Sequence, residues 1–404
     1  MSRWVRFLLA ISVAVTSVTL AGCWDLMELN KASLITGIAI EPGHKGKLKA
    51  TVEIMNASEA QAHQPGKGVA PSIVQAMEGN TLAEILFRLN EKLDRQLVIS
   101  HARIIVFDER LARLGISQYM DSIQRSRYVR EDVLILICQA AHASGVMKIL
   151  FPRGSYSSLK IQSQIESYRD AWGGVPASRL FDFNQGLLAE GRELIMGAVT
   201  IKGKADKGMD TKSIQTVTPK SLVEISGTAV FRGDVLLGFL NTDESRMVMM
   251  ASNQLKATTV SVPLEDKEKY AAIRLLRTRA HMQVSMIKGT PRIKLSINGE
   301  GIIGGVDMAE HLTEVSGYQH LEELTESYVK QQMTAVIQNV QHKFGVDIFG
   351  FGEQLYRWHF KQFKPVAADW NELFAKAPVT VKVKIALRRA ELKTDHIKKE
   401  ELGP

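Results

Sequence analysis

The chain has 404 residues, 45% hydrophobic and 23% charged, with a formal net charge of +8. This is ordinary globular composition, with enough apolar residues for two or three cored domains. The positive excess is spread along the chain without a basic stripe interleaved with aromatics, which argues against nucleic acid as the partner.

The chain opens with a basic start, Met1-Ser2-Arg3-Trp4-Val5-Arg6, then an apolar run from Phe7 to Leu20, then Leu20-Ala21-Gly22-Cys23. This is the layout of a secretory signal. The run is shorter than the ~20 mostly apolar residues of a spanning helix, and it contains Ser12, Thr16, Ser17 and Thr19. A thiol directly after Ala-Gly makes the cut site a lipobox: Cys23 takes a diacylglyceryl group and becomes the first residue of the mature chain. Durable anchoring needs more than one acyl chain, because a single chain contributes only ~0.8 kcal/mol per buried methylene. Losing residues 1–22 removes Arg3 and Arg6, so the mature charge falls to +6. The only other cysteine, Cys138, lies in the apolar run Val133–Cys138, so an internal disulfide is excluded.

Ser33 to Glu41 and Leu48 to Met55 are β-branched and apolar and predict a strand pair broken by Pro42-Gly43. Residues 57–71 have loop composition. Thr81 and Glu84 form a capping box before the helical series Leu82, Ile85, Leu86, Leu89, Leu93. A strand over Ala102–Phe107, a short helix at Leu111 and Leu114, and a helix over Ser117–Tyr128 follow. Val133–Gln139 is a continuous apolar strand of the kind covered on both faces. Helices near Ile161–Tyr168 and Ser178–Leu188 precede a strand at Leu194–Ile201. Polar, glycine-containing residues 202–220 predict a linker or long surface loop.

Beyond it, Ser226–Phe231 and Val235–Leu240 flank Arg232-Gly233-Asp234 as a hairpin, and Asp243-Glu244 opens a short helix. Tyr270–Ile302 predicts strands with a turn at Gly289-Thr290-Pro291. The longest helix runs from about His320 to Phe344 with one apolar stripe, and Gly345 stands at its C′ position. Asp347 caps a following helix that carries Leu355, Trp358 and Phe363, and Val379–Leu387 is a final half-exposed strand. The fold class is therefore α/β (α+β), multi-domain, with mixed sheets and packed helices and no transmembrane span after signal removal. The expected divisions are a signal at 1–22, an N-terminal α/β domain at 23–201, a linker or long loop at 202–220, a small hairpin–helix domain at 221–265, a C-terminal α/β domain with the long helix at 266–392, and a charged tail at 393–404.

Catalytic motifs are missing from this sequence. The histidines lack zinc spacing, and His311 and His320 have no partner cysteines or carboxylate pattern. No Gly-x-Ser-x-Gly elbow or phosphate loop occurs, and Gly350-Phe351-Gly352 follows a helix, so the strand–loop–helix context of a dinucleotide site is lacking. Its glycines suit a sharp turn between packed helices. Arg232-Gly233-Asp234 is turn chemistry. No catalytic residue, metal site or cofactor is expected beyond the covalent lipid on Cys23.

The chain resembles the Ger(x)C family of spore-germination lipoproteins. The resemblance rests on Cys23-Trp24-Asp25 with Glu28-Leu29-Asn30; Gly37-Ile38-Ala39-Ile40; Ser100-His101-Ala102-Arg103; Val230-Phe231-Arg232-Gly233-Asp234 with Gly238 and Leu240; Glu244-Ser245-Arg246; and Asp347-Ile348-Phe349-Gly350-Phe351-Gly352 with Tyr356 and Trp370. It departs mildly at Met247, where a small residue is expected. The resemblance implies a lipid-anchored C subunit of a nutrient germinant receptor, on the outer face of the spore inner membrane, assembled with integral-membrane A and B subunits and without catalytic activity. In that setting Cys23 carries the lipid and Trp24 and Asp25 lie at the headgroup level. The turn with Asp347, Phe349, Gly350 and Gly352 is a candidate structural or partner-contact element. A substrate-binding lipoprotein of a transporter is the alternative; it requires two similar lobes around a cleft.

Overall fold

A computed structural model describes residues 2–7, 12, 31–56, 71–126, 128–151, 156–265, 268–306 and 315–390. Cys23, Trp24 and Asp25 lie outside the described residues, as do the 393–404 tail, most of the 57–71 loop, and His311.

The first sheet has nine strands: β1 (Ala32–Pro42), β2 (Leu48–Met55), β3 (Ser72–Gly79), β4 (Gln96–Val98), β5 (Ile104–Asp108), β6 (Leu134–Cys138), β7 (Ile195–Gly203), β8 (Ser221–Arg232) and β9 (Val235–Leu240). Their order is β3-β2-β1-β5-β6-β7-β8-β9, with β4 beside the first residues of β1. The central strands β1, β5, β6 and β7 are parallel, and antiparallel strands flank them. Parallel strands need both faces covered, and β5 and β6 are apolar at every position except Asp108. Ile105, Phe107, Ile135 and Ile137 face one core with helices α1 (Leu82–Arg88), α2 (Glu109–Ala112), α3 (Ser117–Gln124) and a later helix at Leu180–Leu188. Ile104, Val106, Leu136 and Cys138 face the other, under α4 (Ala143–Lys148) and α5 (Ser157–Ala171). The Leu180–Leu188 helix is α6. Gly37 of β1 lets this second layer approach: a Cβ there would lie 2.8 Å from Met147 Sδ and 2.9 Å from Ser158 Cβ.

The second sheet has the order β10 (Thr258–Pro263), β11 (Tyr270–Ile287), β12 (Thr290–Val306), β13 (Val379–Ala390), with β12 and β13 parallel. Their crossover contains α8 (Val315–Lys343), α9 (Phe351–Trp358), α10 (Phe360–Phe363) and α11 (Trp370–Lys376); α7 (Thr242–Ala251) precedes β10. The stripe Leu321, Met333, Val336, Ile337 and Val340 of α8 is buried in the shared core, as its spacing requires. Gly345 takes φ +63° and its N–H donates to Val340 O, closing the helix. Glu322 and Glu326 of α8 accept from the Leu387 and Ile385 N–H groups, so the helix covers a β13 edge that would otherwise offer free donors.

Two expectations are corrected and one is narrowed. Of the two forms expected for residues 202–220, they take that of a long loop within one sheet and not of a linker between domains. They close the antiparallel β7–β8 pair, in which Gly203 faces Ser221, and they fold back so that Leu150 N–H donates to the carbonyl of buried Gly208. The 221–265 segment is divided: β8 and β9 complete the first sheet, while α7 and β10 enter the second core. The hairpin serves both, with Ala229 and Phe231 facing the first core and Val230 and Leu240 the second. Finally, the turn between β11 and β12 is Lys288-Gly289, at φ +50° and +79°, with Thr290 and Pro291 already in the strand.

Candidate functional site

The Asp347–Gly352 turn lies at the junction of the two sheets. Asp347 is fully buried. Its Oδ1 accepts from the N–H groups of Phe349 (3.0 Å) and Gly350 (2.9 Å), and its Oδ2 from Gly352 N–H (2.8 Å) and Trp370 Nε1 (3.0 Å). The carboxylate thus supplies acceptors for donors at the start of α9 that have no partner within the helix. Burial pushes its pKa up to about 6, against the lowering effect of the Gly352, Trp370, Gly350 and Phe349 donors. Phe349 packs 5.5 Å from the Phe351 ring and 6.3 Å from that of Phe374. Gly350 adopts φ +89°, and a Cβ on Gly352 would lie 2.3 Å from Trp370 Nε1.

The loop before β7 docks on this turn. Glu193 N–H donates to Asp347 O (2.8 Å) and Glu353 N–H to Gly191 O (3.1 Å). Arg192 pairs with Glu353 at 2.6 Å. The Glu193 carboxylate accepts from Asn371 Nδ2 and from Gly233 N–H, each at 2.6 Å, tying in the tip of the β8–β9 hairpin. Asp347, Phe349, Gly350 and Gly352 are all buried. The arrangement is a clasp between sheets. Sequence spacing gave no sign of Gly191 and Glu193, which lie in an unremarked loop.

A second cluster escaped sequence reading. Glu41, Asp108 and His142 bring one potential ligand atom each within 4.8 Å of one another. They stand at the carboxyl ends of β1 and β5 and after β6, where open α/β sheets commonly hold ligands. Here the charges already have partners. Lys49 Nζ lies 2.7 Å from Glu41, and Arg110 spans both oxygens of Asp108 and donates to His142 Nδ1 at 2.9 Å. Burial raises the Glu41 pKa, but the Lys49 hydrogen bond and the Ser144 N–H outweigh it and hold the carboxyl below its usual range. Cys138 beside them has its thiol pushed up to about 12, first by burial and then by Asp108 and Glu41. This is an ion-pair network next to an unreactive thiol.

An apolar groove of about 930 Å³ opens between α1, β4 and α3, lined among others by Leu86, Phe87, Leu93, Leu97 and Tyr128. Ile35 of β1 contributes to it, so the groove reaches the start of the first strand. Cys23 precedes Lys31 by eight residues, a reach of at most about 28 Å. Among the described residues, no helix is long and apolar enough to cross a membrane.

Comparison with known proteins gives a consistent match. Residues 25–201 match the spore germination protein N-terminal domain, and residues 226–391 match the spore germination B3/GerAC-like C-terminal domain. The chain is 24% identical to spore germination protein KC of Bacillus subtilis (strain 168), over 97% of this chain and 98% of that protein. It is 21% identical to spore germination protein GerQC of Bacillus cereus, over 95% and 98%. The crystal structure of the GerBC protein superposes with a TM-score of 0.56 at 16% identity, covering 90% of this chain and 99% of that one, which shows a shared fold. The chain belongs to the Ger(x)C family of spore germination proteins.

Proposed function

We propose that this protein is the lipid-anchored C subunit of a spore nutrient germinant receptor, held through acylated Cys23 on the outer face of the spore inner membrane and assembled there with integral-membrane A and B subunits. The observation that carries this reading is the match of both family domains, in order, directly behind a lipobox. The buried side chains are compatible with a non-enzymatic role: the carboxylates of Asp347 and Glu41 are committed to backbone and indole donors or to a cation. The two sheets differ in strand number and connectivity, which does not suit the paired lobes of a transporter's substrate-binding lipoprotein. On this reading Trp24 and Asp25 sit at the headgroup level, and the Asp347–Gly352 turn is structural.

The test is nutrient-triggered dipicolinate release from wild-type spores, spores lacking the gene, and spores carrying Cys23→Ala, with paralogous receptors removed. Loss of response to one nutrient class in both mutants is the expected result. Full activity of Cys23→Ala alone would remove the anchor from the proposal. A normal response in the deletion, across several nutrients, would overturn the receptor role.

A further inference from the structure

We propose that the segment Tyr356–Lys364 is a second membrane contact, which seats its aromatic side chains in the headgroup region of an anionic bilayer; the inference rests on the membrane location proposed above. Residues 356–362 are consecutively exposed. Trp358 is 71% exposed and Phe360 50%, two large rings two residues apart within one exposed run. They are not on a loose loop. Tyr356 packs edge-on at 5.5 Å to Phe360 and at 5.6 Å to buried Phe363, whose ring lies 5.9 Å from buried Trp370. The Tyr356 and Phe360 rings therefore stand on an aromatic stack that continues to the Asp347 clasp through Trp370 Nε1, and Trp358 lies between them in sequence at the end of α9.

The charge around them has one sign. From Gln354 to Ala368 there is no acidic residue, while Arg357, Lys361 and Lys364 are basic. Arg357 is held by Glu353, but Lys361 and Lys364 have no acidic partner among the described residues. Aromatic rings with free ammonium groups beside them match a bilayer interface, where rings lie at the headgroup level and cations meet lipid phosphates. The position agrees. Gly352, at the start of α9, packs on Gly191 just ahead of β7. Strand β7 runs parallel to β1 through β5 and β6, so α9 begins at the end of the sheet where β1 starts, nine residues after Cys23 in sequence.

The experiment uses the mature chain with Cys23→Ala, so that no acyl chain contributes. It measures co-sedimentation with vesicles of phosphatidylglycerol and phosphatidylcholine, and of phosphatidylcholine alone. The expected result is binding to the anionic vesicles that falls roughly tenfold or more in Trp358→Ala/Phe360→Ala and in Lys361→Glu/Lys364→Glu, and is weak on phosphatidylcholine. In a Trp24→Phe background, brominated lipid should quench part of the tryptophan emission when Trp358 is present and not in Trp358→Phe, a readout that does not depend on the larger substitutions folding well. Equal binding by parent and variants, or no binding at low salt, would overturn the proposal. So would a patch that ignores vesicles while its substitution releases the membrane subunits, which would make it a protein interface. The mass of Cys23 in the native protein tests the anchor separately, so either idea can fail alone.

Discussion

Gly191 and Gly352 meet backbone to backbone: a Cβ on Gly191 would stand 2.5 Å from the carbonyl carbon of Gly352, and Gly191 holds φ +76°. The two residues belong to different sheets' connections, so the contact sets how closely the halves approach. Gly191→Ala combines positive-φ strain with overpacking. It is expected to cost about 2–4 kcal/mol in urea unfolding. Gly289→Ala is the control, since it has positive φ but open space around it, and should cost about 1–2 kcal/mol. Equal losses at the two positions would mean that the close approach carries no energy.

Glu53 is a buried carboxylate on β2 that accepts from Thr36 Oγ1 (3.0 Å), Ser72 Oγ (3.0 Å), Ser157 N–H (2.7 Å) and Ser158 N–H (3.0 Å). It satisfies donors at the start of α5 across the sheet. Glu53→Gln places an amide NH2 against one of the two backbone N–H groups, while the hydroxyls can rotate away. A loss of about 1–3 kcal/mol is expected, with faster amide exchange confined to the first turn of α5. Unchanged exchange at Ser157 and Ser158 would show that the carboxylate is not their cap.

The strands that depend on local pattern were legible. The Ile104–Phe107 and Leu134–Cys138 runs, the Gly233-Asp234 turn and the α8 stripe all carry their own signal. Strand β3 was missed because Ser-Ile-Val-Gln-Ala-Met-Glu-Gly is mostly half-exposed and lacks a clean alternation, and β10 was missed although its β-branched Thr-Thr-Val-Ser-Val alternates buried and less buried positions, because it is a single short run ending at Pro263. Helix α4, six residues with a glycine inside, is too short to display a period. The Asp347 turn was legible as a cap with glycine geometry, but its docking partners Gly191 and Glu193 were not, because the register between two distant loops leaves no local trace. Glu53 was hidden differently. It alternates with Thr51 and Lys49 as an outward-facing residue would, and only the arrival of α5 turns that face into an interior.

Cys138 has no exposed surface, and its thiol is pushed up to about 12. Thiolate is the reacting species, so the native chain should leave this sulfur unmodified by a thiol reagent at pH 8 on a timescale of hours. Modification should appear only with unfolding, at the urea concentration that also melts the far-ultraviolet signal. Prompt labelling of the folded Cys23→Ala chain would mean that the end of β6 opens locally, against its burial between two helical layers.

Lys49 and Glu41 provide the pH test. The Glu41 carboxyl is held below its usual range, so its contribution to stability is complete above the unfolded value of 4.5 and is lost as pH falls through the lower folded value. Lys49→Met removes the cation 2.7 Å away and leaves the buried carboxylate with the Ser144 N–H as its remaining strong donor. Removing one partner of a largely buried pair costs about 3–5 kcal/mol; Lys49 keeps 29% side-chain exposure, which places the expectation nearer 2–3 kcal/mol at pH 7. The deficit should shrink below pH 4.5, as Glu41 takes a proton in the variant and no longer needs the cation. Urea unfolding of both chains at pH 7 and pH 4 measures it. A deficit that stays constant across that interval would assign the loss to packing of the lysine stem instead of its charge, and would leave the Glu41–Asp108–His142 network without an electrostatic role for Lys49.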